Sequence, residues 1–108
     1  MILYEILDAF IYSTKLQEIF YHYGLYRQID KTAEELGELT QAIMKYKHCD
    51  DNPHLRKNVI SEIADVQIML AHLEYGLEAA DEVKAEIKRK IGRQIKRIEK
   101  EHEQEQSE

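Results

Sequence analysis

The segment LYRQIDKTAEELGELTQAIMKY, residues 25–46, decides the fold of this chain. Its apolar side chains recur at intervals of three, four or seven residues, which is the stripe of an amphipathic α-helix. The pattern predicts a helix from about Leu25 to Lys47. The stripe consists of Leu25, Ile29, Leu36, Leu39, Ile43 and Tyr46.

The same periodicity predicts three further helices, at about Ile2–Tyr23, Pro53–Tyr75 and Glu78–Glu101. Gly24 ends the first in a position where helices commonly stop. Pro53 suits the first turn of the third helix, and Gly76 closes it. The core candidates of these helices are Leu3, Ile6, Phe10, Leu16, Phe20, Val59, Ile60, Ile63, Val66, Leu70, Leu73, Val83, Ile87, Ile91, Ile95 and Ile98.

No strand pattern competes with these helices, and short connections between long helices favour antiparallel neighbours. A chain of 108 residues has the size of one domain. We therefore expect an all-α fold, a four-helix antiparallel bundle formed by residues 1–101. Oligomerisation would complete it, because a domain this small buries a modest fraction of its surface. Residues 102–108 form a polar tail that we expect to be frayed.

Charge and composition exclude several classes of function. The net charge is −6, but residues 84–100 hold eight basic and two acidic residues, so +6 there leaves −12 elsewhere. An acidic body with one basic helix does not resemble a duplex nucleic-acid-binding protein. The basic helix is either a solvated face or a wall for a small anionic ligand.

Membrane insertion and secretion are not expected either. No apolar run approaches the roughly 18 residues of a membrane-spanning helix, and the N-terminus has no basic leader. With Cys49 as its only cysteine, the chain fits a reducing cytoplasm.

Two acidic pairs border the predicted core. On a helical wheel, Glu35 and Glu38 fall roughly 100° and 160° to one side of the stripe centred on Leu36. Glu62 and Asp65 fall at the same offsets from the stripe of the third helix. When the two stripes pack together, the four carboxylates can converge along one seam.

The neighbourhood of the second pair favours a metal site. Within residues 63–73, Asp65 is the only formal charge, so this helix is expected to be buried on most sides. Clustered carboxylates repel one another unless cations lie among them, and hard oxygen ligands suit Mg²⁺ or Mn²⁺. The alternative is that these are surface acids in salt bridges. We prefer that interpretation for Glu34, which points away from the stripe.

The motifs Glu35-Leu-Gly-Glu38 and Glu62-Ile-Ala-Asp65 lie in the segments YGLYRQIDKTAEELGELTQAIMKY (residues 23–46) and SEIADVQIMLAHL (residues 61–73). In spacing and flanks, these segments resemble the MazG-like, all-α nucleoside triphosphate pyrophosphohydrolases. The family's signature is Glu-x-x-Glu followed, after a variable gap, by Glu-x-x-Asp. The resemblance covers about residues 21–97.

The resemblance implies cleavage of a nucleoside or deoxynucleoside triphosphate between its α and β phosphates, in house-cleaning or nucleotide-pool control. It also implies a homodimer or homotetramer. Family members often carry a Lys and an Arg on the following helix that meet the phosphates. Lys90 and Arg93 stand at suitable places here, whereas Gly92 stands where the family often has Asn. The implied Mg²⁺ ligands, which would also be the catalytic residues, are Glu35, Glu38, Glu62 and Asp65.

Other residues are weaker candidates. Gln28 and Lys31 lie on the same side of the second helix as Glu35 and can touch substrate or be solvated. Three tyrosines near the first turn can stack on a nucleobase, or fill the end of the bundle or an oligomer interface. They are Tyr21, Tyr23 and Tyr26.

Two rival functions stay open. A phosphoribosyl-ATP pyrophosphohydrolase would share the fold and the metal site. A non-catalytic helical dimerisation or nucleotide-binding module would keep the bundle without turnover. The chain has no Gly-rich phosphate loop, which excludes a P-loop mechanism.

Overall fold

The computed structural model describes the backbone of residues 2–107 and the side chains of residues 12–107. It consists of the helices α1 (Ile2–Tyr23), α2 (Leu25–His48), α3 (Pro53–Gly76) and α4 (Ala80–Ser107). Residues 2–107 contain no β-strand. The all-α prediction with four helices is therefore confirmed. None of these helices is long and apolar enough to cross a membrane.

The first two boundaries lie where the sequence places them. Gly24 separates α1 from α2 with a φ of 86°, a backbone conformation that glycine adopts without strain. Asn52 caps α3, because its side-chain oxygen accepts hydrogen bonds from the backbone N–H groups of His54 and Leu55 at 2.9 and 3.4 Å. Pro53 is the first residue of that helix, as predicted.

Gly76 is the last residue of α3, and its lack of a side chain matters for packing more than for backbone freedom. A Cβ atom at this position would lie 2.6 Å from Leu25 Cδ1 and 3.0 Å from two ring carbons of Phe20. The residue with positive φ in this connection is Glu78, at 53°. Gly76 is therefore required by the close approach of α3 to the α1–α2 corner.

The last helix is longer than the sequence suggested. It begins at Ala80 and continues through Ser107, so most of the tail that we expected to be frayed is helical. Residues 102–107 contain glutamate and glutamine and no glycine or proline, so nothing in their composition stops the helix.

The chain divides into two compact units. The first ends at Leu77 and contains α1, α2 and α3; the second begins at Glu78 and contains α4. Within the first unit the most extensive packing is between α2 and α3, which are joined by residues 49–52. Residues early in α2 meet residues late in α3, as in the Gln28–His72 hydrogen bond, so the two helices form an antiparallel hairpin.

The line of contact in this hairpin has alternating spacings of four and three residues on both helices, the spacing of a coiled-coil seam. All of its members are buried or half-buried. We call it the contact line; it consists of Gln28, Thr32, Glu35, Leu39, Ala42 and Tyr46 on α2, and of Leu55, Val59, Glu62, Val66, Met69 and Leu73 on α3.

Part of the predicted core lies on the contact line, and the rest of it on these two helices does not. The predicted residues on the line are Leu39, Tyr46, Val59, Val66 and Leu73. Several core candidates lie one position further along the chain and are only half covered, each with 39% to 49% of its surface exposed. In an antiparallel pair these positions project to the same side of both helices. We call this side the apolar face; it consists of Ile29, Leu36, Ile43, Ile60, Ile63 and Leu70.

Helix α1 packs on the hairpin through an aromatic cluster. Phe20 is buried, as predicted, and its ring contacts those of His72 and Tyr75 edge-on at centroid distances of 5.9 and 5.2 Å. Leu16 is half-buried. The other core candidates of α1 lie outside the described side chains; they are Leu3, Ile6 and Phe10.

The core prediction is wrong for most of α4. Val83 is half-buried, but the isoleucines that follow are 47% to 58% exposed. Their spacing marks an amphipathic helix, and burial depends on a neighbour that the spacing does not identify. The exposed residues are Ile87, Ile91, Ile95 and Ile98.

Replacing Gly76 by alanine tests the close packing at the end of α3. We expect Gly76→Ala to lower the free energy of unfolding by about 1–3 kcal/mol, because the new methyl group overlaps Leu25 and the rigid Phe20 ring. The matched control is Gly37→Ala in the middle of α2, where a Cβ atom meets nothing within 4 Å. The control should stabilise the protein by about 1 kcal/mol through helix propensity. Urea unfolding followed by circular dichroism measures both, and an unchanged midpoint for Gly76→Ala would contradict the packing argument.

Candidate metal centre

The α2–α3 hairpin brings three of the four predicted ligands together. Glu35, Glu62 and Asp65 each place a carboxylate oxygen within 4.8 Å of the others. Glu35 and Glu62 face each other because both lie on the contact line. Asp65 joins them because it follows Glu62 by three residues and therefore projects to nearly the same side of α3. The predicted convergence of the two motifs is present in the fold.

The burial of Glu35 is unusual for an ionisable residue. Only 7% of its surface is exposed. Its Oε1 atom accepts an ion-pair contact from the Lys31 ammonium group at 3.2 Å, one helical turn earlier. Glu35 Oε2 and Glu62 Oε2 are both buried and have no hydrogen-bond partner. Buried polar atoms normally have partners, so two such oxygens in one cluster indicate a place for a further donor or a cation.

Glu38 completes the group at its exposed edge. Its carboxyl is within hydrogen-bonding reach of the Glu35 carboxyl, and this contact is the main cause of a raised pKa for Glu38. The negative charges of Glu35 and Glu62 raise the pKa further, because each makes a second ionised carboxylate costly. The four acidic residues therefore repel one another when all are ionised.

The donor set fits a hard divalent cation. It offers carboxylate oxygens from three residues, and within residues 12–107 no cysteine or histidine joins the group. Oxygen donors of this type suit Mg²⁺ and Mn²⁺ better than Zn²⁺. A cation placed among them would give the free oxygens of Glu35 and Glu62 a partner and would relieve the repulsion at Glu38.

Gln28, a predicted substrate contact, takes part in the packing of the first unit. It is buried, and its Nε2 atom lies 2.8 Å from Nδ1 of the equally buried His72. His72 Nε2 lies 3.0 Å from the carbonyl oxygen of Leu16. Since a carbonyl only accepts, Nε2 carries the imidazole proton and donates it, and Nδ1 accepts from the Gln28 amide. Gln28 therefore has a structural role. Its hydrogen bond to His72 joins α2 to α3, and the bond from His72 to Leu16 joins α3 to α1.

The predicted basic residues divide between the two units. Lys31 lies beside the acidic cluster, paired with Glu35 and, at 3.5 Å, with Glu34. These contacts raise its pKa, Glu35 first, and keep it charged. Lys90 and Arg93 lie on α4 in the second unit, where both are exposed. Neither forms a salt bridge among the described side chains, although both charges help to lower the pKa of Glu86 after its main partner Arg89.

Two cavities of the first unit adjoin the acidic cluster, and the sequence did not predict most of their lining. The larger, of about 490 Å³, is connected to the cluster by Lys31. It is lined by Ile19, Tyr23, Arg27, Gln28, Asp30, Lys31, Glu34 and Met69.

The smaller cavity, of about 290 Å³, lies further along the hairpin and has Glu38 and Glu62 in its wall. Its remaining lining includes Lys45, which follows Glu38 by seven residues and so shares its side of α2. That spacing was the available signal in the sequence. The full lining is Glu38, Gln41, Ala42, Lys45, Leu55, Asn58 and Glu62.

Comparisons of the chain with protein-family models, curated proteins and solved structures find no match.

Neutralising Glu38 tests the repulsion within the cluster. Because folding raises the pKa of Glu38, its ionisation destabilises the folded state as the pH rises through that pKa. We therefore expect Glu38→Gln to raise the melting temperature of the metal-free protein at pH 7. The same variant should lose part of the further stabilisation that millimolar Mg²⁺ gives to the wild type, because a negative charge beside the bound cation is removed.

Glu18→Gln, on the exposed surface of α1, is the control and should change neither quantity. The measurement is differential scanning calorimetry with EDTA and with Mg²⁺. A Glu38→Gln protein that is less stable than wild type without metal would disprove the repulsion.

Proposed function

We propose that the protein is a Mg²⁺-dependent nucleoside triphosphate pyrophosphohydrolase, which converts a nucleoside or deoxynucleoside triphosphate to the monophosphate and pyrophosphate. The observation that carries the proposal is the convergence of Glu35, Glu62 and Asp65 around two buried carboxylate oxygens without partners. The motifs that contain these residues resemble those of the MazG-like enzymes, which supports the assignment of the substrate class.

Each acidic residue has a distinct position in this proposal. Glu35, Glu62 and Asp65 would hold the cation, with Mn²⁺ as a possible substitute for Mg²⁺. When bound, such a cation neutralises phosphate charge and lowers the pKa of a coordinated water. Glu38, at the exposed edge, is placed to orient a water molecule or accept its proton. The ammonium group of Lys31 lies 3.2 Å from Glu35 Oε1 and balances part of the negative charge of the cluster.

Lys90 and Arg93 are the predicted phosphate contacts on α4. The family resemblance assigns Lys90 and Arg93 to the phosphates, and both are exposed and outside any salt bridge among residues 12–107. We propose the cytoplasm as the place of action, since the exposed free thiol of Cys49 suits a reducing compartment.

The two rivals predict different outcomes with the same purified protein. A phosphoribosyl-ATP pyrophosphohydrolase would act on that compound and spare ordinary triphosphates. A non-catalytic module would bind a nucleotide or a second chain and release no product. The buried oxygens without partners on Glu35 and Glu62 favour an enzyme over the module. Burying such oxygens costs folding free energy, which a bound metal ion would offset.

A product assay tests the reaction. With Mg²⁺ and a panel of ribo- and deoxynucleoside triphosphates and phosphoribosyl-ATP, we expect pyrophosphate as the first product. Asp65→Asn should lower kcat by at least about a hundredfold, because one ligand of the cation is lost. The control is Asp50→Asn in the α2–α3 loop, which should keep wild-type activity.

Orthophosphate as the first product would contradict α–β cleavage. Absence of turnover on every nucleotide would favour the binding module. Substantial activity in a folded Asp65→Asn protein would remove Asp65 from the ligand set.

The apolar face supports the proposal of a homo-oligomer. Its six large aliphatic side chains, each 39% to 49% exposed, form a continuous patch of the kind that soluble proteins cover with a partner. We propose a second copy of this chain as that partner, in a homodimer or homotetramer.

Ile43→Glu tests this assembly. A charge on the apolar face should shift the protein to a lower oligomeric state, because a glutamate would be desolvated in the contact. Tyr26→Glu is the matched control, since Tyr26 lies on α2 outside the apolar face and is 84% exposed. Sedimentation velocity at several concentrations measures the result. Identical distributions for wild type and Ile43→Glu would contradict the use of this face.

A further inference from the structure

The two cavities beside the acidic cluster differ in chemistry. The larger contains Ile19, Met69 and the ring of Tyr23, whose face carries the Arg27 guanidinium at 5.2 Å from its centroid. Its charged lining residues are two basic and two acidic, so their formal charges cancel. Aromatic and guanidinium planes with apolar neighbours suit a flat, largely uncharged ring system. Its volume lies within the usual range for small-molecule sites.

The smaller cavity offers hydrogen-bond donors instead. Lys45 supplies an ammonium group, and Gln41 and Asn58 supply side-chain amides, from both helices of the hairpin. These groups suit the oxygens of a phosphate chain. Glu38 and Glu62 in the same wall belong to the candidate metal centre, so a phosphate chain in this cavity would lie against its cation.

The acidic cluster lies between the two cavities along α2. Lys31 of the larger cavity is one turn before Glu35, and Gln41 and Lys45 of the smaller cavity follow it by two to three turns. At 1.5 Å per residue, the span from Lys31 to Lys45 is on the order of 20 Å, which matches an extended nucleotide with its phosphate chain.

From this order we infer a direction of substrate binding that rests on the proposed function. The geometry points to the nucleoside in the Tyr23–Arg27 cavity, the α-phosphate at the acidic cluster, and the β- and γ-phosphates in the cavity formed by Gln41, Lys45 and Asn58. Lys45 is thereby a binding residue for the pyrophosphate leaving group, within the same unit as the metal centre. A water oxygen forms a new bond to the α-phosphorus and gives a proton to Glu38, while the bond between that phosphorus and the α–β bridging oxygen breaks. The monophosphate and the pyrophosphate are then left in separate cavities.

The products themselves are the probes that test this direction. Dissociation constants are measured by calorimetry in saturating Mg²⁺ for inorganic pyrophosphate and for nucleoside monophosphates. Lys45→Ala should weaken pyrophosphate binding about tenfold and leave monophosphate binding unchanged, because one charged hydrogen bond is lost. Lys47→Ala, two residues along α2 and outside the cavity, is the matched control and should change neither constant.

The Tyr23–Arg27 cavity is tested with the same two products, and here the monophosphate is the one expected to bind more weakly. Tyr23→Ala should weaken monophosphate binding about tenfold, through loss of a stacking surface, without changing the constant for pyrophosphate. Its control is Tyr26→Ala, which replaces an exposed tyrosine that does not line the cavity. Circular dichroism of each variant checks that the helices are intact.

The possible outcomes separate the inference from the proposed function. If Lys45→Ala weakened monophosphate binding and Tyr23→Ala weakened pyrophosphate binding, the direction of binding would be reversed and the inference overturned. A Lys45→Ala protein with wild-type affinity for pyrophosphate would also overturn it. If wild type hydrolyses no nucleotide but binds pyrophosphate through Lys45, the proposed function fails and the phosphate cavity stands. If it hydrolyses triphosphates and neither variant changes product binding, the proposed function stands and the inference fails.

Discussion

The Glu35 carboxylate in the contact line between α2 and α3 is the constraint on which the rest of the first unit depends. A charge placed between two packed helices costs free energy unless it is paired. Lys31 provides one partner from the solvent side of the same helix. A carboxylate oxygen of Glu35 lies within 4.8 Å of oxygens of Glu62 and Asp65, so the interior of the hairpin holds an acidic cluster instead of a continuous apolar seam.

Polar groups occupy much of that interior as a result. Thr32 donates its hydroxyl proton to the carbonyl oxygen of Gln28 at 2.6 Å, and Gln28 in turn donates to His72. Each of these buried groups has found a partner, which is the condition under which a polar core is stable. The apolar part of the core is correspondingly small, since Phe20, Val66 and Met69 are the only buried hydrophobic residues among residues 12–107, and each keeps 6% to 8% of its surface exposed. The larger aliphatic residues lie outside, on the apolar face.

The sequence predicted the helices well, and three of the four acidic residues that it singled out come together in the fold. Local signals account for the helix boundaries and for the pairing within each motif. Gly24 and Pro53 mark boundaries through backbone conformation, and a spacing of three residues keeps Glu62 and Asp65 on one side of a helix. The packing of the hairpin was harder to predict from the sequence. The wheel centred on Leu36 locates the most apolar side of α2, but it does not reveal whether the same chain or another surface covers that side. The contact line passes through Glu35, the residue before Leu36, and Leu36 itself is left 43% exposed.

The same limit explains the other differences. The role of Gly76 depends on Leu25 and Phe20, which are distant from it in sequence. The hydrogen bond between Gln28 and His72 joins residues of two different helices. The isoleucines of α4 have the spacing of a core, yet Ile87, Ile91, Ile95 and Ile98 are each 47% to 58% exposed. Lys45 and Asn58 belong to different helices, and only the register of the hairpin shows that they share a cavity.

That register has a consequence for how the protein reaches its folded state. The four acidic residues all lie in one two-helix hairpin with a short connection, so they meet through contacts that are local in the chain. Local contacts form quickly, because little loop-closure entropy is lost before they are made. The cluster would therefore assemble while the chain is still folding, ahead of the docking of α1. A divalent ion present at that moment would act as a cofactor of folding, and stopped-flow refolding with and without Mg²⁺ would reveal it as a change in the rate constant.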